Sequence, residues 1–504
     1  MGALAVRLWD LDARSLWLDE AIEYWVATAP LAQLPAVVRD VTQDPPLYSF
    51  LLHLWMKPAV NEAWLRLPSV LFGVAGVLGV MMIGYRLQGW TSALVAGFLM
   101  SILPTAVRYS QEVGQYALMQ GFLAWNLVVL VGLVREPSRG GFVRWVVLAI
   151  AAACTYYGAV IAMVIPFACF LFEGGMRRDW LRVRRGLGAL AVFSMAILPL
   201  AAWYLPHQLQ RGPTERALEI STAASLAQGL REVGASLPQT IAFPLTGWPC
   251  SRTPGWMTIV LFAALAAFAL RRQRRFAVWL TATLVIYAAI GALHLFPFGA
   301  RYSTILTPLI VPLVACAIRS DAPRTRRVGA GLVFGLMCVS CLTSLPNRAL
   351  YSRLYGEGKC IWPETEDVGM VAKYWYAHRK PGQPTYVYYG AAPAFAYYLD
   401  RLSGAYTPRP ADWFLECWRG ADTPACRDGA IFYGRWLRTM EPEQKVASLF
   451  ETMGGVPEEF WFVAGHSQER EAVVIGQLLK RQYEFVDLSV GQDAVAVLLW
   501  RRAP

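Results

Sequence analysis

Charge is what this chain has least of: 16% of its 504 residues are charged, 56% are apolar, and its mean hydropathy is +0.38. A soluble chain of this length needs a far more polar surface, so the composition speaks against a purely soluble enzyme and against a disordered chain. Acid is scarcer than base, with 35 carboxylates against 46 Lys and Arg, for a net charge of +11. That excess does not require a nucleic acid or other anionic partner. The basic residues lie in short clusters between apolar runs, where membrane topology accounts for them. Nine cysteines are too few and too scattered for a small disulfide scaffold. The chain after residue 346 has no G-x-G-x-x-G, no P-loop and no repeat.

What the sequence does have is long apolar stretches, and about 20 helical residues are enough to cross a bilayer core. They recur at 65–86, 91–108, 114–134, 142–156, 158–173, 186–206, 255–271, 276–296, 302–319 and 328–345, giving about ten expected spans. Arginines test that count. Alternate connections carry Arg86, then Arg135, Arg139 and Arg144, then Arg177 to Arg185, then Arg271 to Arg275, then Arg319 to Arg327. By the positive-inside rule these are the cytoplasmic loops. Merging 142–156 with 158–173 would break the alternation, so the two are kept apart.

The same parity places residues 1–64 and everything after about 346 outside the cytoplasm. Met1 to Leu11 is too short to span, so a first span is expected to be missing, or the short amino terminus to be translocated without one. The expected fold is an α-helical polytopic membrane protein with a C-terminal extracytoplasmic α/β domain. Residues 1–345 would form the membrane domain, with a first outer loop at 12–64, and residues 346–504 the outer domain. Strands are expected at 385–390, 430–434, 459–464, 484–490 and 494–500, and helices at about 364–379, 442–453 and 468–482. Cys417 and Cys426 lie across a turn in this domain, as a disulfide or as two thiols, and Cys250 with Cys360 is a weaker candidate pair. Cys338 and Cys341 read as small buried packing residues.

Carboxylates gather in the first outer loop despite their general scarcity. Trp17-Leu18-Asp19-Glu20-Ala21-Ile22-Glu23 opens a helix with Asp19 and Glu23 on one face. Asp40 and Asp44 follow, the latter before Pro45-Pro46-Leu47-Tyr48, and Arg108-Tyr109-Ser110-Gln111-Glu112 makes a second short outer loop. Ionisable groups at this depth are costly and tend to mark function. Each also has a plain structural reading: Asp19 or Asp44 as a helix N-cap, Glu20 or Glu23 facing water or headgroups.

Ser15-Leu16-Trp17-Leu18-Asp19-Glu20-Ala21, Asp44-Pro45-Pro46-Leu47-Tyr48 with Leu52-His53-Leu54-Trp55-Met56, Leu65-Arg66-Leu67-Pro68-Ser69, and Tyr109-Ser110-Gln111-Glu112 with Tyr116-Ala117-Leu118 together resemble one family in order and spacing. It is the GT-C superfamily of polytopic glycosyltransferases, in particular relatives of the protein O-mannosyltransferases and the lipid A aminoarabinose transferase. The resemblance covers about residues 10–135, with Gly299-Ala300-Arg301-Tyr302 opening a late span. It implies an inverting transferase at the outer face of a bacterial inner membrane, moving a sugar from a polyprenyl-phosphate donor to a hydroxyl on a lipid, polysaccharide or protein.

Within that resemblance Asp19 matches the family's base, with Glu20 beside it as a second catalytic candidate. Asp44, Tyr48, His53, Arg66, Arg108, Glu112, Tyr116, Arg301 and Tyr302 are candidate substrate contacts. Arg301 is the expected partner of the donor phosphate; Arg66 and Arg108 serve equally well as interfacial anchors, and His53 and His294 as packing residues. Two departures stand out. Asp44 occupies the place where many relatives have His, and Val113-Gly114-Gln115 replaces an Ala-Arg pair. Asp44 and Glu112 are candidate ligands for a divalent cation, since hard cations take oxygen donors. A transporter or lipid flippase would carry its charges near span centres and show internal repeats, which this chain does not. A catalytically inactive relative that binds a lipid-linked glycan is the other alternative.

Overall fold

A computed structural model describes residues 1–211, 226–246, 273–299, 301–316, 331, 335, 366–404, 407–420, 423–437, 440–466, 471–491 and 493–502. The chain divides into two compact units. One comprises 1–9, 38–51 and 66–362, the other 10–37, 52–65 and 363–504.

The first unit is helical. Among the described residues, five helices are long and apolar enough to cross a membrane: Glu62–Gln88, Tyr116–Arg135, Ala159–Met176, Trp180–His207 and Arg274–Ala292. A sixth is reached if Trp90–Ile102 and Pro104–Ser110 count as one span bent by 61°. Lipid offers no hydrogen bonds, so apolar stretches of this length satisfy their backbone groups internally as helices. The 142–156 stretch forms the shorter helix Arg139–Ala153, separate from Ala159–Met176 as the arginine alternation requires. The stretch at 302–319 begins with a 3-10 turn, Arg301–Leu306, before the helix Thr307–Ala315. The connection after residue 206 contains a further helix, Leu226–Thr246. The expected spans at 255–271 and 328–345, Cys338, Cys341 and the Cys250/Cys360 pair lie outside the described residues, apart from Gly331 and Gly335.

Small residues let two of these helices approach closely. A Cβ on Gly76 would sit 3.7 Å from the Gly121 Cα, and one on Gly79 only 2.8 Å from the Ala124 Cβ, the pattern by which helices pack where no hydrophobic force drives them together. The bend at 103–104 also has a local cause. Leu103, as the residue before a proline, is extended (φ −65°, ψ 118°), and Pro104 has no N–H to give to Met100 O. Arg7, on the short helix Gly2–Leu8 and fully buried, takes that role. Its guanidinium donates to Met100 O (3.0 Å), Ser101 O (3.3 Å), Ala3 O (3.1 Å) and Ser110 Oγ (3.0 Å).

The second unit is built on a six-stranded sheet in the order β2-β3-β1-β4-β6-β5, from β1 Thr385–Val387, β2 Arg427–Asp428, β3 Ile431–Tyr433, β4 Glu459–Gly465, β5 Tyr483–Gly491 and β6 Ala494–Arg501. β1 runs parallel to β3 and β4, while β6 pairs antiparallel with β4 and β5. Alternation sends Tyr386, Phe460, Phe462, Val497 and Leu499 to one face, against Leu449, Ile475 and Leu479 of helices Pro442–Thr452 and Glu471–Leu479. Helix Val368–His378 packs on the sheet through Trp375, whose indole donates to Thr385 Oγ1 at 3.1 Å.

Helix Ala392–Ser403 has no counterpart among the expected elements. Pro393 lies in its first turn, where a missing N–H costs nothing, and Gly404 ends it in the left-handed region at φ +67°. Cys417 and Cys426 form a disulfide. Residues 10–37 are tied into this unit over long sequence distances: Gly369 N–H donates to Ser15 Oγ (3.0 Å), Leu16 N–H to Tyr398 Oη (2.8 Å), and the Trp25 indole to Pro393 O (2.9 Å).

Candidate active site

Asp19 and Glu20 sit in the first turn of helix Leu18–Ala27, where their charge complements the helix dipole. The N-cap, Trp17, has no side-chain acceptor, so the first-turn N–H groups are served from elsewhere. Glu20, fully buried, reaches back to accept from Trp17 N–H at 3.4 Å. Glu366 Oε2 accepts from Leu18 N–H at 3.3 Å. Asp19 itself stays partly exposed. The two acids thus differ in setting: Glu20 is committed to the cap, and Asp19 borders solvent.

Glu366 is bound in turn to His466, whose Nδ1 lies 2.5 Å from Glu366 Oε1. Burial pushes the Glu366 carboxyl up, against the opposing pull of His466. Burial pulls the imidazolium of His466 down, but the hydrogen bond to Glu366, with the charges of Glu366, Asp19 and Asp493, more than reverses it and leaves the group above the usual histidine value. His53 belongs to this unit as well. Its Nδ1 pairs with Ala27 O at 2.9 Å, a helix-to-helix packing contact.

In the first unit Tyr48, Arg66, Arg108, Glu112 and Tyr116 are buried, while Asp44, Arg301 and Tyr302 are half-buried. Arg66 and Arg108 are each 1% exposed, and Glu112 is 2% exposed. Arg108 Nη2 lies 3.8 Å from Glu112 Oε2, one helical turn on. The Arg301 guanidinium stands 5.2 Å from the centre of the Tyr116 ring, and Asp44, Glu112, Arg301 and Tyr302 all lie within electrostatic range of the Tyr116 hydroxyl. Tyr48 Oη is 3.4 Å from Ser69 Oγ, which donates to Gly114 O at 3.3 Å. The two departures from the family pattern meet: Gln115 Nε2 donates to Asp44 Oδ2 at 2.8 Å. Asp44 and Glu112 therefore come with an amide donor and a guanidinium as neighbours, and among the described residues no three His, Cys, Asp or Glu side chains group as a metal site.

Residues 43–203 match the family model for dolichyl-phosphate-mannose-protein mannosyltransferase. The whole chain is similar in structure to ArnT from Cupriavidus metallidurans bound to undecaprenyl phosphate, with a TM-score of 0.56 over 98% of this chain and 96% of that one, at 13% identity. This is the GT-C fold. The apo state of the same ArnT gives a TM-score of 0.55 at 12% identity, over the same shares of the two chains. The archaeal oligosaccharyltransferase AglB from Archaeoglobus fulgidus gives 0.47 at 12% identity, over 98% of this chain and 73% of that one. Sequence comparison with curated proteins gives no match. The GT-C family-model match contains Asp44, Tyr48, Arg66, Arg108, Glu112 and Tyr116, whereas Asp19, Arg301 and Tyr302 fall outside it. Glu366, His466 and Arg7 were not expected from the sequence, where no motif marks them. Their roles depend on partners that only the fold brings near.

Proposed function

We propose that this chain is an inverting glycosyltransferase that moves a sugar from a polyprenyl-phosphate donor to a hydroxyl of a lipid, glycan or protein. In this reading it works at the outer face of a bacterial inner membrane, with the 346–504 domain outside the cytoplasm. The observation that carries it is a set of charged and phenolic side chains inside a helical bundle of GT-C fold: buried Arg108, Glu112 and Tyr116, with half-buried Asp44 and Arg301 in electrostatic range of the Tyr116 hydroxyl. Ionisable groups in such a setting are costly and persist where substrate charge must be handled.

In the proposed reaction Asp19 takes the proton of the acceptor hydroxyl as its oxygen attacks the anomeric carbon, opposite the departing phosphate. A hydroxyl is a poor nucleophile until a carboxylate within hydrogen-bond reach begins to remove its proton. The bond to the lipid phosphate breaks, and the charge that develops there calls for a fixed cation. Arg301 is assigned that task, with Tyr116 beneath it. Asp44, Tyr48 and Glu112 shape the sugar and acceptor pocket.

The test is Asp19→Asn in purified protein supplied with a radiolabelled polyprenyl-phosphate sugar and envelope acceptors. Asn keeps the shape and removes the base, and a loss of about 10²–10⁴-fold in turnover is expected. Wild-type-like turnover would remove Asp19 from the role. Donor binding without turnover by the unsubstituted protein would make it an inactive relative. Loss of turnover with a chelator in the same assay would show that the reaction needs a divalent cation, for which Asp44 and Glu112 are the candidate ligands.

A further inference from the structure

Three carboxylates and one imidazole from four separate parts of the second unit share one electrostatic neighbourhood at the start of helix Leu18–Ala27. Asp19 lies in the helix's first turn, Glu366 just before helix Val368–His378, His466 just after β4, and Asp493 in the β5–β6 turn. Glu366 is the hub. It is 2% exposed, and its two oxygens serve Leu18 N–H and His466 Nδ1. The imidazole also lies beside the N-cap ring, with 6.3 Å between the Trp17 and His466 centroids.

This arrangement is costly to hold. His466 and Asp493 both have positive φ, +52° and +43°, conformations that cost a non-glycine residue on the order of 1 kcal/mol or more. A Cβ at position 390 would meet Gly465 O at 2.8 Å and the His466 Cβ at 3.0 Å, so the approach of His466 also requires Gly390. A neutral Ser or Asn would cap a helix without burying a carboxylate or straining two loops. What the Glu–His pair adds is an imidazolium, held by Glu366, within electrostatic range of Asp19.

We propose that His466, seated on Glu366, is a positioning residue for Asp19: the pair fixes the first turn of the helix and sets a cation beside the base. The inference rests on the reading of Asp19 as base. His466 faces Glu366, Asp19 and Asp493, and Glu20 caps the same turn. A nearby cation stabilises a carboxylate and a nearby anion destabilises it, so the two members of the pair must act on Asp19 with opposite sign.

The experiment is the pH dependence of kcat/KM in the full-length protein and in His466→Gln, Glu366→Gln and Asp493→Asn. His466→Gln is expected to move the acid limb, where Asp19 takes up its proton, upward by about half a unit to one unit. That is the effect of one charge at close range in an effective dielectric of about 40–80. Glu366→Gln should move it downward, and Asp493→Asn, at a residue that faces Glu366 and His466, should move it less than either. A residue that served only to hold the fold would lower kcat and leave the limb in place. An unmoved limb in His466→Gln, or a limb that moves the same way in His466→Gln and Glu366→Gln, overturns the inference. His466→Asn, which removes the imidazole and tolerates the positive φ of this position, decides the matter if His466→Gln fails to fold. Wild-type turnover by Asp19→Asn instead means that the base reading has failed.

Discussion

Arg7→Met removes all four hydrogen bonds of a fully buried guanidinium while keeping much of its apolar volume. Two of the acceptors, Met100 O and Ser101 O, lie at the bend before Pro104, where the helix cannot supply its own donors. Stranding two buried carbonyls costs about 1–3 kcal/mol each, or about 2–6 kcal/mol together. Removing the buried charge returns part of that, so the expected loss is in the lower half of the range. In a chain of 504 residues that corresponds to a fall of about 2–4 °C in melting temperature, read by tryptophan fluorescence in detergent. The decisive comparison is a cycle with Pro104→Ala, which gives Met100 O a helical donor again. Arg7→Met should then cost at least about 1 kcal/mol less in the Pro104→Ala background than in the native one. Additive effects, or an Arg7→Met melt within 1 °C of wild type, would refute the account. Gly73→Ala should weaken the same contact from the other side, since its Cβ would lie 2.0 Å from Ser110 Oγ and 3.0 Å from Arg7 Nε.

Two further outcomes concern the second unit. Arg409 is 8% exposed, donates to both oxygens of Asp400 (3.0 and 3.1 Å) and to Asp428 Oδ2 (2.8 Å), and should cost about 3–5 kcal/mol when replaced by Leu. Burial already pushes the Asp400 carboxyl up, so without Arg409 it takes a proton more readily, and the deficit should shrink as pH falls; a pH-independent deficit in thermal melts refutes this. Reducing the Cys417–Cys426 bridge, which spans 9 residues, should destabilise the domain by about 2–3 kcal/mol; unchanged melting with and without reductant would show the bridge to be thermodynamically idle.

The membrane helices were legible because length and apolarity suffice to mark them, and most strands because alternation and short apolar runs bounded by turns do the same. Helix Ala392–Ser403 was not legible. Pro393 reads as a breaker until its first-turn position is known, and the strand expected just before it, at 385–390, runs on into the same apolar stretch. Asp44 could be read as a candidate ligand, yet its bond to Gln115 depends on two loops 71 residues apart. Asp19 stood out by motif, while Glu366 and His466 did not, because a carboxylate that caps a helix 348 residues away leaves no local pattern. Arg7 carries no local motif either, and only the bend at Pro104 shows which carbonyls it serves.

The long reach from Leu18 to Glu366 also has a consequence in time. At about 5–20 residues per second of synthesis, a separation of 348 residues is roughly 20–70 s. Through that interval the acidic turn exists without the groups that anchor it: Glu366, Gly369, Pro393 and Tyr398 have not yet been made. The ribosome must finish most of the chain before Asp19 acquires its setting. Maturation is thus coupled to completion, and a stalled or truncated product would carry the acidic motif without the scaffold that orients it.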